Sequence, residues 1–340
     1  MHLKYKIKRA AQQICSLAGP HRWPFSKDQL LILMYHRVLP KEDQRYQQEQ
    51  PGMLVTPNTF KMHLKVLKKY FQPIHLSEWI HAAIHSRPLP KKAVAITFDD
   101  GWIDNYQYAY PLLKEESFPA SIFLVSGMVG TSTTFWPEQL IKIILQASEL
   151  PHNHAWNTEP FQWLGTLMQT AHLNKNKPNI EDIDQLICKA KCFSEKELYE
   201  KISAMQKILP VQPTSPEILN WEQAREMSAS GLIQYGSHTC NHTRMNTSLT
   251  DKVLYSEILN SKKAIEFHLN HPVDLFCYPN GDITILADNI VKKSYVAACT
   301  VDPGWNKAAN INRHRLKRIA IHDDISNTET AFLARISGWL

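Results

Sequence analysis

The sequence of 340 residues predicts an α/β fold in which parallel strands, joined by crossover helices, curl into a distorted (β/α) barrel interrupted by a helical insertion. Three observations carry this reading. Short β-rich runs alternate with helical patterns over residues 30 to 130, the rhythm breaks from 131 to about 219, and it resumes at Asn220. The expected divisions are a basic segment at 1–27, a barrel built from 28–130 and 220–340, and a helical insertion or cap at 131–219.

In chain order, Leu30 to Tyr35 reads as a buried strand, and Thr56-Pro57 opens a helix with a capping side chain and a first-turn proline. A strand is expected around Ile74. Ser77 then caps a short surface helix carrying His81 and His85, a pair with no expected role. Ala93 to Phe98 is a Val-Ile-Thr-Phe strand, followed by a helix from Asn105 to Glu116 and a strand from Ser121 to Val125. Trp136 to Leu150 and Ser194 to Leu209 have helical periodicity, and Cys188 and Cys192 fit as small core-facing residues of a helical stretch. A helix then runs from Trp221 to Ser230 and stops at Gly231. A strand follows at Leu232 to Tyr235, and a long helix at about Thr250 to Asn270. Strands at Leu275 to Tyr278, Tyr295 to Thr300 and Arg318 to Ile321 complete the pattern.

Composition excludes several classes. With 44% hydrophobic and 21% charged residues the chain is neither disordered nor fibrous. The net charge of +6 is local: Lys4, Lys6, Lys8, Arg9, Arg22 and Lys27 precede any acidic residue, and the rest of the chain is balanced. A nucleic-acid partner, which needs a basic face, is therefore excluded. Apolar runs such as Leu30 to Tyr35 are far shorter than the roughly 20 residues of a membrane span. Ala10 to Cys15 is too polar for a secretory signal, so the protein reads as cytoplasmic, starting at or near Met1. Six cysteines without a C-x-x-C pair suggest reduced thiols, with neither a disulfide framework nor a zinc ribbon. Leu3, Ile7, Ala10, Ile14 and Leu17 recur at helical spacing with Lys4, Lys8 and Arg9 mostly off that stripe. Such a helix packs its stripe on the barrel, frays, or meets an anionic inner membrane through residues 1–27.

Four clusters could carry chemistry, each just past an expected strand. Asp99 and Asp100 follow Thr97-Phe98, at the carboxyl end of a strand where α/β folds bind ligands. Two carboxylates so close repel unless a cation lies near. His238 and His242, four apart, could reach one metal from a helical turn. Two His and one Asp suit Zn²⁺ or a neighbouring divalent ion with a position open for water. Cys277-Tyr278-Pro279-Asn280-Gly281 forms a turn able to aim a backbone N–H at an oxyanion. His322 after the last strand could serve as a general acid. His314, between two arginines, reads as a surface or substrate-contacting residue. Spacing alone does not separate the roles of Asp99 and Asp100.

With these motifs in order (Thr97 to Gly101, His238 to His242, Phe276 to Gly281, Leu316 to His322), the chain resembles the polysaccharide deacetylase, or NodB-homology, family, carbohydrate esterase family 4, over most of residues 30 to 325. Leu33 to Val38, which includes His36, and Asn220 to Met227 resemble stretches of its bacterial envelope-sugar branch. The resemblance implies hydrolysis of an N-acetyl group from an amino sugar, in a polysaccharide or in a lipid- or nucleotide-linked precursor glycan. It implies Asp100, His238 and His242 as ligands of a metal, Zn²⁺ first and Co²⁺ or Ni²⁺ next, with Asp99 as base and His322 as acid. Tyr278, Pro279, Asn280 and His36 would contact the oxyanion or substrate. Many members carry in the third motif an arginine that orients the base. Here that position is Cys277. A carbohydrate-binding pseudoenzyme and a deacylase for another N-acyl group, such as formyl, stay open as alternatives.

Overall fold

A computed structural model describes residues 2–22, 28–148, 156, 159–171, 178–210 and 216–339. The chain opens with helix α1 (His2–Ala18), strands β1 (Gln29–Tyr35), β2 (Arg37–Val38) and β3 (Leu54–Val55), and helix α2 (Pro57–Tyr70). Strand β4 (Gln72–Pro73), helix α3 (Leu76–Ile84), strand β5 (Ala93–Phe98), helix α4 (Tyr110–Glu115) and strand β6 (Ala120–Leu124) follow. Next come helices α5 (Trp136–Ser148), α6 (Gln162–Thr170), α7 (Ile180–Ala190), α8 (Glu195–Ile208) and α9 (Trp221–Ala229). The chain then forms β7 (Ile233–Ser237), α10 (Asp251–Leu269), β8 (Leu275–Cys277), α11 (Ile285–Ser294), β9 (Ala297–Cys299) and β10 (Asn306–Lys307). It ends with β11 (Ile319–Ala320), α12 (Asp323–Ser326) and α13 (Glu329–Ile336).

The main sheet runs β10-β1-β5-β6-β7-β8-β9, parallel throughout except for the β10 edge. Beyond β9 the chain turns back. Leu316 bridges Cys299, and β11 then pairs in parallel with β1, so one short segment links the last strand to the first and curls the sheet into the expected distorted barrel. The interior is filled by alternate residues of its strands, among them Leu30, Ile32, Ala93, Ala95, Leu275 and Ala297. Helix α3 packs Leu76, Trp79 and Ile80 against this set. His81 bonds Asp274 at 2.8 Å, which ties α3 to the start of β8 and gives this histidine a structural role. Ser77 lies inside α3 and donates to Gln234; His75 is the cap residue.

The chain divides into two compact units. One comprises Met1–Pro40, Gly52–Thr131 and Ile218–Leu340, and holds the barrel. The other comprises Lys41–Pro51 and Ser132–Glu217. Helices α5 to α8 bury a core of their own there, with Leu140, Ile144, Leu164, Ile183, Leu186, Ile202 and Met205 at its centre. Cys188 and Cys192 lie outside that core, both exposed: Ile187 and Ala190 occupy the inward positions of α7 instead. The expected helix from Asn105 is a π turn at Asn105–Ala109 running into α4. Pro111 lacks an N–H and crowds the preceding turn, so the ladder locally widens.

His63 anchors the end of β1. It is fully buried, donates from Nε2 to Ser326 O at 2.7 Å, accepts at Nδ1 from Tyr35 Oη at 3.2 Å, and stacks on Phe332 at 3.9 Å. Burial pushes its pKa down to about 4, against a smaller opposing pull from the Ser326 carbonyl. The unfolded ring binds a proton below about 6.5, while the folded ring stays neutral to about 4. Its stabilisation is therefore complete above pH 6.5 and is lost as the pH falls toward 4, by on the order of 3 kcal/mol. Melting curves of wild type and His63→Gln across that window should diverge accordingly, with the flatter pH dependence in the variant; parallel curves would refute this.

Candidate active site

Two strand ends and two loops build the site. Strand β5 stops at Phe98, and the Asp99 N–H donates to Tyr35 O of β1 at 3.0 Å, which carries Asp99 just past the sheet. Asp100 (φ 75°) and Gly101 (φ 78°) then turn in the left-handed region. A Cβ on Gly101 would lie 2.7 Å from Leu124 Cδ2, so only glycine fits this turn. Both carboxylates are buried, and they are held differently.

Asp99 is clamped by Arg318, whose Nη1 and Nη2 donate to Oδ1 and Oδ2 at 2.7 and 2.8 Å. The guanidinium is fully buried. Its Nε donates to Thr300 O at 2.9 Å, Nη1 to Thr97 Oγ1 at 3.2 Å, and Nη2 to Cys277 Sγ at 3.0 Å. Burial opposes the Asp99 charge, but Arg318 outweighs it by charge and by two hydrogen bonds, holding the carboxyl well below the usual carboxylate range. His36, at the end of β1, brings Nε2 to 3.9 Å from Asp99 Oδ2 and is partly open to solvent.

Asp100 takes a hydrogen bond from Trp102 Nε1 on Oδ2 at 2.9 Å. Trp102 is itself fixed by the Arg37 guanidinium, 4.1 Å over its ring, and Arg37 donates to Asp104 at 2.9 Å. The other oxygen, Oδ1, is buried and has no hydrogen-bond partner among the described residues. It faces His238 Nε2 at 3.6 Å and His242 Nε2 at 3.5 Å. An orphaned buried carboxylate oxygen is costly unless a cation completes it.

His238 follows β7, and its Nδ1 bonds Cys277 O at 2.8 Å, leaving Nε2 for the shared point. Burial lowers its pKa to about 4, partly offset by Asp99, so the ring is the neutral form that ligates metals. The expected helical turn between the two histidines is instead a tight loop with Thr239 (φ 67°) and His242 (φ 59°) left-handed. Glu257 of α10 holds that loop, accepting from the N–H groups of Cys240 and Asn241 at 3.0 Å each and from Asn241 Nδ2 at 2.7 Å. The ligand atoms of Asp100, His238 and His242 lie within 4.8 Å of one another, a group that could hold a metal ion. Donor chemistry, the neutral His238 imidazole and an unpaired oxygen all fit a divalent cation.

Tyr278 is fully buried, and its hydroxyl donates to Asp288 at 3.3 Å, while its N–H goes to Cys299 O; Pro279 is buried too. Both side chains are buried, so the turn they build is what faces outward. Asn280 is exposed and left-handed (φ 52°). His322 caps α12 and bonds Asp324 at 3.0 Å, and His36 is the histidine beside Asp99. His314 is buried against Tyr295 O at 3.0 Å, a structural position. Sequence reasoning missed Arg318, Trp102 with Arg37, and Glu257.

A family model described as polysaccharide deacetylase matches residues 86–193 and 188–297, more than half of the chain. The chain belongs to the polysaccharide deacetylase family. It is 33% identical over 112 residues to YxkH of Bacillus subtilis, covering 33% of this chain and 37% of that protein. It is 30% identical over 143 residues to the poly-β-1,6-N-acetyl-D-glucosamine N-deacetylase of Staphylococcus epidermidis, covering 40% and 48%. These curated relatives are thus matched over less than half their length. The structure of IcaB from Ammonifex degensii shares the fold of this deacetylase-family chain, with a TM-score of 0.57 at 20% identity over 91% of this chain and 98% of that one.

Proposed function

We propose that this protein hydrolyses the N-acetyl groups of amino sugars in a polysaccharide, with a divalent metal held by Asp100, His238 and His242. The observation that carries the reading is the unpaired, buried Asp100 Oδ1 facing two histidine nitrogens, beside a second carboxylate kept ionised by Arg318. The bound ion, Zn²⁺ first by its nitrogen and oxygen donors, supplies polarisation of the acetamide carbonyl and a lowered water pKa. Asp99 accepts a proton from the attacking water, and its clamp keeps the accepting oxygens aimed. The Asn280 N–H donates to the developing oxyanion. As the C–N bond breaks, the leaving amine takes a proton from His36, which we assign this role over His322 because it stands 3.9 Å from the base. Acetate and a free amino sugar are the products.

A β-1,6-linked N-acetylglucosamine oligomer is the first substrate to test, since related proteins are named for that polymer. Zinc-loaded protein is expected to release acetate from it, to stop after chelation, and to recover with Zn²⁺ or Co²⁺. His238→Ala should bind no metal. A panel of acetylated and formylated amino-sugar glycans that yields no metal-dependent acid would sink the proposal, and formate in place of acetate would move it to another acyl group.

A further inference from the structure

Helix α1 packs against α13 near the chain end. Cys15 and Ser16 are buried, each only 6% exposed. The end of the helix is closed by the Ser16 carbonyl, which accepts from His21 Nε2 at 3.0 Å and Arg22 Nε at 2.9 Å, and Arg22 Nη2 ties this end to α2 by donating to Tyr70 Oη at 3.1 Å. The apolar stripe of the helix is elsewhere. Ala10 is exposed, Ile14 is 63% exposed and Leu17 69%, so the described part of the stripe does not pack on the barrel and faces outward. Leu3 and Ile7 continue its spacing in the sequence, and Trp339, just past α13, is 47% exposed. An amphipathic helix that turns its apolar side to solvent is using only its minor face for folding.

Charge identifies what would cover it. Residues 1–27 hold six basic side chains and no acidic one, while the rest of the chain is balanced. Two copies meeting through this face would set like charges together, whereas an anionic bilayer offers both opposite charge and an apolar layer. We propose that α1 docks the protein on an anionic lipid surface, with Ile14 and Leu17 entering the headgroup boundary and the basic residues on lipid phosphates. The docking is independent of the hydrolysis proposed above, and vesicle binding reads it without turnover.

The full chain should pellet with phosphatidylcholine vesicles containing roughly a third phosphatidylglycerol and stay in solution with pure phosphatidylcholine, with binding lost as salt is raised. The double variant Ile14→Asp with Leu17→Asp should bind at least about tenfold more weakly, since charge then enters where apolar side chains would insert. Both positions are exposed, so its melting curve should match wild type. Ile285→Asp, at an exposed apolar position of α11, should bind as wild type does. Equal pelleting of wild type and the double variant overturns the proposal, as does equal affinity for neutral vesicles. So does a solution dimer that the double variant converts to monomer.

Discussion

Replacing Asp99 by Asn is expected to lower acetate release by on the order of a thousandfold, while the metal content of the protein stays at wild-type level. The two effects separate because the two buried carboxylates have different partners. Asp100 contributes an oxygen to the His238–His242 group, and Asp99 is engaged with Arg318. Asn cannot accept a proton from water at neutral pH, yet it retains the size of Asp and leaves Asp100 and both histidines in place. Asp100→Asn should behave in the opposite sense, losing metal and activity together. Metal analysis alongside acetate release is the check, and an active Asp99→Asn protein would remove Asp99 from the base role. His36→Gln and His322→Gln test the acid in the same assay: the larger loss of kcat at retained metal is expected at His36.

The parts of this site that a reader could find in the sequence are those whose chemistry is local. Asp99 and Asp100 sit at a strand end whose apolar run is unmistakable, and His238 and His242 are spaced to share a ligand whether the intervening loop is helical or not. The loop geometry itself was not legible, because the left-handed residues Thr239 and His242 are neither glycine nor asparagine. They are held from outside by Glu257, which lies on the inward face of α10 among Leu254, Ile258 and Ser261. A carboxylate on an otherwise inward helical face was the available signal. The acid was not legible for a related reason: His36 and His322 both follow strands that pair in the sheet, β1 and β11, and the sequence alone does not separate them. The two-residue strands β2, β3, β4 and β10 carry too few residues for any period to show.

Arg318 is the residue whose importance required the fold, and its removal is expected to have the largest effect on stability. The third motif has Cys277 where many members of the family carry an arginine, yet the Asp99 carboxylate is held in a fixed orientation. Barrel closure carries Arg318 in from the segment that bridges β9 and pairs with β1, and its Nη2 reaches both Asp99 and the Cys277 sulfur. A charged residue opening the expected strand Arg318 to Ile321, beside Lys317, was the trace it left in the sequence. Arg318→Met removes one partner of a buried ion pair, leaving Asp99 charged without compensation, a change that typically costs about 3–5 kcal/mol. Asp99→Asn with Arg318→Met removes both charges, so the double variant should be more stable than the sum of the single losses predicts. Arg318→Lys distinguishes positioning from mere charge. Lysine keeps the positive charge but cannot donate the parallel pair of hydrogen bonds, so kcat should fall by about a hundredfold or more with metal retained and KM little changed. A lysine variant with wild-type kcat would mean that Asp99 needs only a nearby charge, and strictly additive stabilities in the cycle would mean that the pair is not coupled as its geometry requires.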